Sequence, residues 1–447
     1  MQNQAMLSGF TVLDLSDNRA YTCGRYLASL GADVIKVEPP GGEPARHLPN
    51  SGLPGQQSVQ WQAKNVGKKS ITLNLQDESG QELFRALVGK AHFVIESFMP
   101  GTLEAGGLGY EQLSKINPSI ILVSISPFGQ SGPYARYLGG ELVASAMGGT
   151  LDTCGYPDDT PVLEALDACI FHANAAASLG AMIAHRERSK SGMGQHVDCS
   201  IQETASTRNT NNLTAYQFDQ RKLQRSGNKI RFGVANVRVI WELADGYCFH
   251  SMMTGKFGAP ANAALSRWMS EEGFENPMQE VDWETYDRSS LDADVRLEWE
   301  SAMDRFFKSK TKKDIATEGA KRGIRATIAQ SPEDITADEH LASREFLQPV
   351  SGIADKAPQY PAYFMRLKNS PYRLQLHLPQ AGEHNEQVYG ELLNLSTEEL
   401  AAYQARGVLY ESRGSTGRRQ DSGFFLGIDG IADNQTASRS WCHGSQS

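Results

Sequence analysis

The chain has 447 residues, 40% of them hydrophobic, enough to bury a large core and to divide into two or three domains. Its net charge of −9 gives no general attraction for phosphate backbones or acidic membranes, and without a strong basic patch nucleic-acid binding is excluded. No apolar run approaches membrane-spanning length, Met1 to Leu7 lacks a basic leader, and the six cysteines contain no CxxC pair. The chain therefore reads as cytoplasmic, with reduced thiols, no membrane partner and no metal.

From Phe10 onward strand and helix alternate. Thr11 to Leu15 is a short strand, Arg19 to Leu30 carries helical apolar spacing ending at Gly31, and Val34 to Val37 is the next buried strand. The cycle repeats with Ser70 to Leu75, an amphipathic Ser79 to Lys90, His92 to Ile95, a helix at Tyr110 to Ile116, and Ile120 to Ile125. Such alternation predicts an α/β fold with a largely parallel sheet covered on both faces. Ligands gather beyond the carboxyl ends of such strands, here Ser16 to Arg19, Glu38 to Gly42, Gln76, Ser97-Phe98 and Pro127 to Gln130. No GxGxxG or GxxxxGK[ST] delivers a glycine turn to phosphate, and no HExxH specifies a metal.

After Gly148-Gly149, a helix from Ala168 to Glu187 is rich in small residues, Ala173, Ala175, Ala176, Ala177, Ser178, Gly180 and Ala181, which places it in the interior or at a subunit contact. Gly194 to Ser200 leads into another helix. The polar, basic stretch Asn209 to Arg231 reads as a connection leaving the first domain. A second unit follows from Val237, with a turn at Asp245-Gly246 and a helical stretch Leu297 to Lys312 whose Trp299, Met303, Phe306 and Phe307 form a core stripe. Gly255 and Gly258 suggest a mobile covering loop. Pro371 to Leu409 regains periodicity and returns to the first domain, and the tail beyond Tyr410 reads as disordered. The expected boundaries are 1–208 for the large domain, 209–236 for a linker, 237–345 for the middle domain, 346–410 for the return segment and 411–447 for the tail.

Several spaced motifs carry a likeness over most of residues 7–410. They are Gly31 to Glu38 with Pro39-Pro40-Gly41-Gly42 and Arg46, Asn65 to Leu75, Glu96 to Gly101, Pro127 to Pro133, Arg186 to Arg188 with Gly192 to Ser200, and Gly382 to Asn385. Together they resemble the family III, or CaiB/BaiF-type, CoA-transferases. The resemblance implies a Rossmann-like large domain built from both chain ends, a smaller α+β middle domain, and two ring-like subunits interlocked as a dimer. It also implies coenzyme A as the acyl-CoA substrate, a carboxylic acid acceptor, and one aspartate nucleophile, matched here by Asp167. That carboxylate would attack the thioester and exchange a mixed anhydride for an aspartyl-CoA thioester. Asp167 also fits a helix N-cap, a use of aspartate worth about 1 kcal/mol.

The positions implied for CoA contact are Asn18, Arg19, Lys36, Pro39, Leu73, Asn74, Leu75, Gln76, Ser97, Phe98, Met99, Ala105 and Arg136. Many relatives carry cations where this chain has Pro39, Gln76 and Ala105, so Arg19, Lys36, Arg46 or Arg136 would have to compensate. Phe171 stands where transferases usually have glycine. These departures resemble the succinyl-CoA:arylsuccinate branch, in which some enzymes combine two paralogous subunits. The chain is thus expected as a homodimer or a heteromer, with a non-catalytic subunit as the alternative. A racemase would need a histidine in the stretch matched by Gly139-Gly140-Glu141, and none is present.

Overall fold

A computed structural model of the chain describes residues 4–48, 58–232, 235–351, 358–362, 365–370 and 376–410. Six strands form its main sheet: β1 (Thr11–Asp14), β2 (Asp33–Glu38), β3 (Lys69–Thr72), β4 (Phe93–Glu96), β5 (Ile121–Ser126) and β6 (His196–Ser200). Their order is β3-β2-β1-β4-β5-β6, and every neighbouring pair is parallel. The order reverses between β1 and β4, so the strand ends part there and leave a crevice.

Alternate residues of each strand enter opposite cores, as the two-residue repeat of a strand requires. Val12, Val34, Phe93, Ile95, Val123 and Ile125 pack on one face with helices Tyr21–Ser29 and Ala168–Ser191. Leu13, Ile35, Val37, Val94 and Leu122 face helices Glu78–Val88 and Asn385–Leu393 on the other. All six residues of β5, including Ser124 and Ser126, are buried, as in a parallel strand covered on both faces. The buried side of Ala168–Ser191 presents Ala173, Ala177, Ala181 and Ala184, and it lies against the Tyr21–Ser29 helix and β5.

The returning segment docks on edge strand β3. Asn385 Oδ1 accepts the Thr72 N–H at 2.9 Å, His384 Nδ1 accepts that of Ser70 at 3.2 Å, and Tyr389 donates to the Thr72 carbonyl at 3.0 Å. Gly382 sits at φ +74°, where a Cβ would lie 2.6 Å from the Tyr410 carbonyl oxygen. The Gly382 to Asn385 motif is therefore a device that closes a sheet edge.

Three ion pairs are buried beside the ends of β1 and β2 and the start of β3: Asp14–Lys68 at 2.7 Å, Lys36–Glu43 at 3.1 Å and Glu38–Arg46 at 2.6 Å. Arg46 also stacks on Trp61, 3.7 Å from the ring centroid. Lys36, Glu38 and Arg46 from the Gly31 to Arg46 motif thus belong to a charge network inside the fold.

The chain divides into two compact units. The larger draws on residues 1–149, 165–210 and 345 onward, and the smaller on 150–164 and 211–344. Thr150–Glu164, inside the expected 1–208 stretch, groups with the smaller unit. The smaller unit has an antiparallel sheet of Ile240–Leu243, Gly246–His250 and Ala326–Ala329. Helices Gly255–Glu271 and Ala293–Lys308 belong to it, and its core gathers Trp241, Trp268, Trp299, Met303, Phe306 and Phe307.

Two local expectations fail. The 209–231 stretch read as a connection contains a helix, Thr210–Asp219, and a strand, Lys229–Phe232. Gly258 lies within a helix rather than a covering loop, because a Cβ there would sit 2.0 Å from the Met253 carbonyl oxygen. Close packing, not mobility, requires that glycine. The tail at 411–447 and part of the Pro371 to Leu409 stretch lie outside the described residues.

Candidate active site

Leu166 and Asp167 precede the Ala168–Ser191 helix with φ of +70° and +52°. Two successive non-glycine residues in this region cost about 1 kcal/mol or more each, a strain that surrounding structure has to sustain. Asp167 occupies the N-cap position, yet its side chain makes no capping bond. Glu141 does that work instead, accepting the N–H groups of Cys169 at 2.9 Å and Ile170 at 3.0 Å. A carboxylate at a helix N-terminus satisfies otherwise orphaned donors and meets the positive end of the helix dipole. The capping reading of Asp167 is thereby overturned.

The Asp167 carboxylate turns to Lys64, whose Nζ donates to Oδ2 at 2.8 Å. Its side chain remains 37% exposed, against 11% for Lys64. Lys64 projects from the short helix Val59–Asn65, capped by Ser58, and lies 5.8 Å from the centroid of the Phe171 ring. Phe171 thus adds an apolar wall beside the carboxylate. Lys64 was missed by sequence reasoning, although the Asn65 to Leu75 motif begins at the next residue.

Loops after β3 and β4 border a cleft of about 910 Å³. Among the expected CoA positions it unites Leu75, Gln76, Met99, Ala105 and Arg136, and it adds Gln81 and Thr102. Arg136 is exposed and has no ion pair among the described residues, which leaves its guanidinium available to an anion. Asp167 does not line this cleft.

The structure places the other expected positions elsewhere. Lys36 is buried against Glu43 and donates to the Ser16 carbonyl, and Pro39 and Leu73 are buried. Asn74 shapes the backbone, accepting the Gln76 N–H at 3.0 Å. Arg19 pairs with Asp17 and donates to the Ser97 carbonyl at 2.6 Å. Ser97 in turn donates to Asp17 at 2.9 Å. Burial opposes ionisation of Asp17, but the Arg19 guanidinium holds its carboxyl below the ordinary range. This linked trio fixes the crevice between β1 and β4, beside the partly buried Asn18. Phe98 donates its N–H to Glu96 at 2.6 Å and so orients the loop that leads to Met99.

Glu96 ends β4 and is 4% exposed, and burial pushes its carboxyl up to about 7 despite hydrogen bonds from Ser124 and Phe98. Between about pH 4.5 and 7 the native chain therefore holds a proton that the unfolded chain has released, so Glu96 costs progressively more stability as pH rises. Glu96→Gln keeps an acceptor for Phe98 and removes that titration. It is expected to gain about 3 kcal/mol over the parent at pH 8 and to lose that advantage towards pH 4.5. Thermal melts across this range check it, and parallel profiles for the two proteins would refute it.

Among the described residues no group of three or more His, Cys, Asp or Glu is arranged to hold a metal, and no helix is long and apolar enough to cross a membrane.

The main sheet is parallel and Rossmann-like, with a cleft beside the carboxyl ends of its strands. The chain belongs to CoA-transferase family III, whose description matches residues 7–385. It is 31% identical over 393 residues to the succinyl-CoA–D-citramalate CoA-transferase of Chloroflexus aurantiacus, spanning 87% of this chain and 94% of that protein. It is 30% identical over 398 residues to the succinyl-CoA:(R)-benzylsuccinate CoA-transferase subunit BbsE of Thauera aromatica, spanning 86% and 93%. The crystal structure of a CaiB/BaiF family protein from Brucella suis aligns with a TM-score of 0.76 at 27% identity, over 87% of this chain and 100% of that one. The protein is accordingly an enzyme that moves CoA from an acyl-CoA to an acid.

Proposed function

We propose that Asp167 is the nucleophile and that the donor is succinyl-CoA or a similar acyl-CoA. The observation that carries this reading is the release of Asp167 from capping: Glu141 satisfies the helix, and Lys64 holds Oδ2 while Oδ1 has no hydrogen-bond partner among the described residues. Oδ1 attacks the thioester carbonyl and the CoA thiolate leaves, forming a mixed anhydride on Asp167. The thiolate then attacks the Asp167 carbonyl and releases the donor carboxylate, leaving an aspartyl-CoA thioester. The acceptor carboxylate attacks that thioester, the thiolate departs again, and its attack on the acceptor carbonyl yields the new acyl-CoA and restores Asp167. Lys64 stabilises negative charge on the attacking carboxylate and on each oxyanion nearby. The CoA moiety is assigned to the Gln76–Arg136 cleft, with Arg136 meeting a phosphate. The cytoplasm suits such a substrate.

An activated acyl group must be kept from water, and Asp167 is too exposed in the single chain to ensure this. Phe171, Leu179 and Ile183 form an exposed apolar stripe along the helix that follows it. We assign that stripe to a subunit contact, with a second copy or with a paralogous chain. The curated name of the Thauera relative, a subunit, supports the heteromeric case. A racemase is disfavoured because Gly140, which has no side chain, stands where its histidine would, and the neighbouring Glu141 has both carboxylate oxygens engaged in capping.

The test offers a panel of acids with succinyl-CoA to the purified chain, alone and with a co-purified paralogue, and follows new acyl-CoA by mass spectrometry. Exchange by either preparation is expected. Deuterium wash-in at an acyl-CoA α-carbon without exchange would replace this reading with racemisation.

A further inference from the structure

Beside Asp167 and Lys64 opens a second pocket, of about 420 Å³, whose exposed wall is overwhelmingly carbon. Val59, Ala63, Phe171, Phe346, Tyr360 and Ala362 supply most of that wall. Arg25 also lines it and is only 9% exposed. Its guanidinium donates to the carbonyl oxygens of Val66, at 2.9 Å, and Pro361. Its other N–H groups have no acceptor, and no carboxylate pairs with it, among the described residues.

A buried cation held only by neutral dipoles is costly, and a ligand anion that reaches it removes that cost. Burial pulls the Arg25 guanidinium down to about 10, and the ionisable groups acting on it are two tyrosines, Tyr360 and Tyr26. At the rim Lys64 and Asp167 already neutralise one another. Arg25 is therefore the surplus positive charge of the pocket.

We propose that this pocket is an acid-binding site in which Arg25 pairs with a carboxylate remote from the reacting one. Its ligand is then a dicarboxylic acid with an apolar ring or branched hydrocarbon body. One carboxyl group meets Asp167 and the other pairs with Arg25, while Phe171, Phe346 and Tyr360 surround the hydrocarbon. The orientation of the ligand rests on Asp167 as the reacting group. The affinity for its remote carboxylate does not.

Calorimetric titration of the full chain without CoA separates the two. The probes are phenylsuccinate and 3-phenylpropanoate, which differ by one carboxyl group. The parent is expected to bind phenylsuccinate at least about tenfold tighter. Arg25→Met should abolish the preference by weakening phenylsuccinate alone, while Arg25→Lys retains part of it. Ala63→Trp fills part of the pocket and should weaken both probes. Asp167→Ala should keep the preference even where it ends CoA exchange, so failure of the nucleophile assignment leaves this result unaffected. Equal affinity of the parent for both probes would overturn the proposal. So would a folded Arg25→Met with the preference intact, or an Ala63→Trp that binds both probes as the parent does.

Discussion

Asp167→Asn is expected to lower kcat for CoA exchange by about three orders of magnitude or more while leaving KM for the acyl-CoA within about threefold. The substitution isolates the nucleophile. Asparagine has nearly the same volume, tolerates the left-handed backbone that Asp167 adopts at φ +52°, and keeps an oxygen that can accept from Lys64. What it lacks is a carboxylate oxygen that can form an anhydride. The parent enzyme, quenched with hydroxylamine during turnover, should yield a hydroxamate at Asp167 by peptide mass spectrometry, and the variant none. A variant within tenfold of the parent rate, in a preparation that melts normally, would remove Asp167 from the chemistry.

The physical basis of that prediction was only half visible in the sequence. An aspartate before a helix is read as a cap because capping is local, spanning two or three residues. Here the capping carboxylate, Glu141, comes from another helix, Glu141–Met147, and no periodicity announces such a contact. Lys64 and Arg25 were hidden for the same reason, since each looks like an ordinary helical cation until the fold sets it beside a pocket. The strands fared better. β4 and β5 are buried along their whole length and β1 and β2 nearly so, so their apolar runs and the parallel sheet could be read directly. Loops at strand ends are local as well, and Leu75, Gln76, Met99 and Ala105 do share one cleft. Lys36 shows the limit of the method. A lysine inside a strand motif invites a phosphate, but alternation along β2 points it into the network with Glu43. Gly258 shows the opposite limit, where a glycine serves close helix packing rather than movement.

Lys68→Met should be the most destabilising of the charge substitutions at the strand ends, costing about 3–5 kcal/mol and lowering Tm by about 10 °C. Both Lys68 and Asp14 have fully buried side chains. Lys68 Nζ donates to Asp14 Oδ2 at 2.7 Å, to Asn65 Oδ1 at 2.8 Å and to the Tyr21 carbonyl at 2.8 Å, so its loss leaves three acceptors short of a donor. Burial alone would raise the Asp14 pKa, but Lys68 and then Lys36 more than offset this and hold it below the ordinary range. That depressed value contributes stability above the unfolded pKa near 3.8, and the contribution is lost as pH falls through the folded one. In the variant the unpaired Asp14 instead takes up a proton more readily as pH falls, which relieves the buried charge. The stability deficit of Lys68→Met, measured by denaturant unfolding, is therefore expected to be largest at pH 7 and to narrow towards pH 5. A deficit independent of pH would mean that lost packing, not the buried carboxylate, sets the cost. The backbone leaves little room for relaxation, because Gly24 packs so closely that a Cβ there would lie 2.3 Å from Asp14 Oδ2.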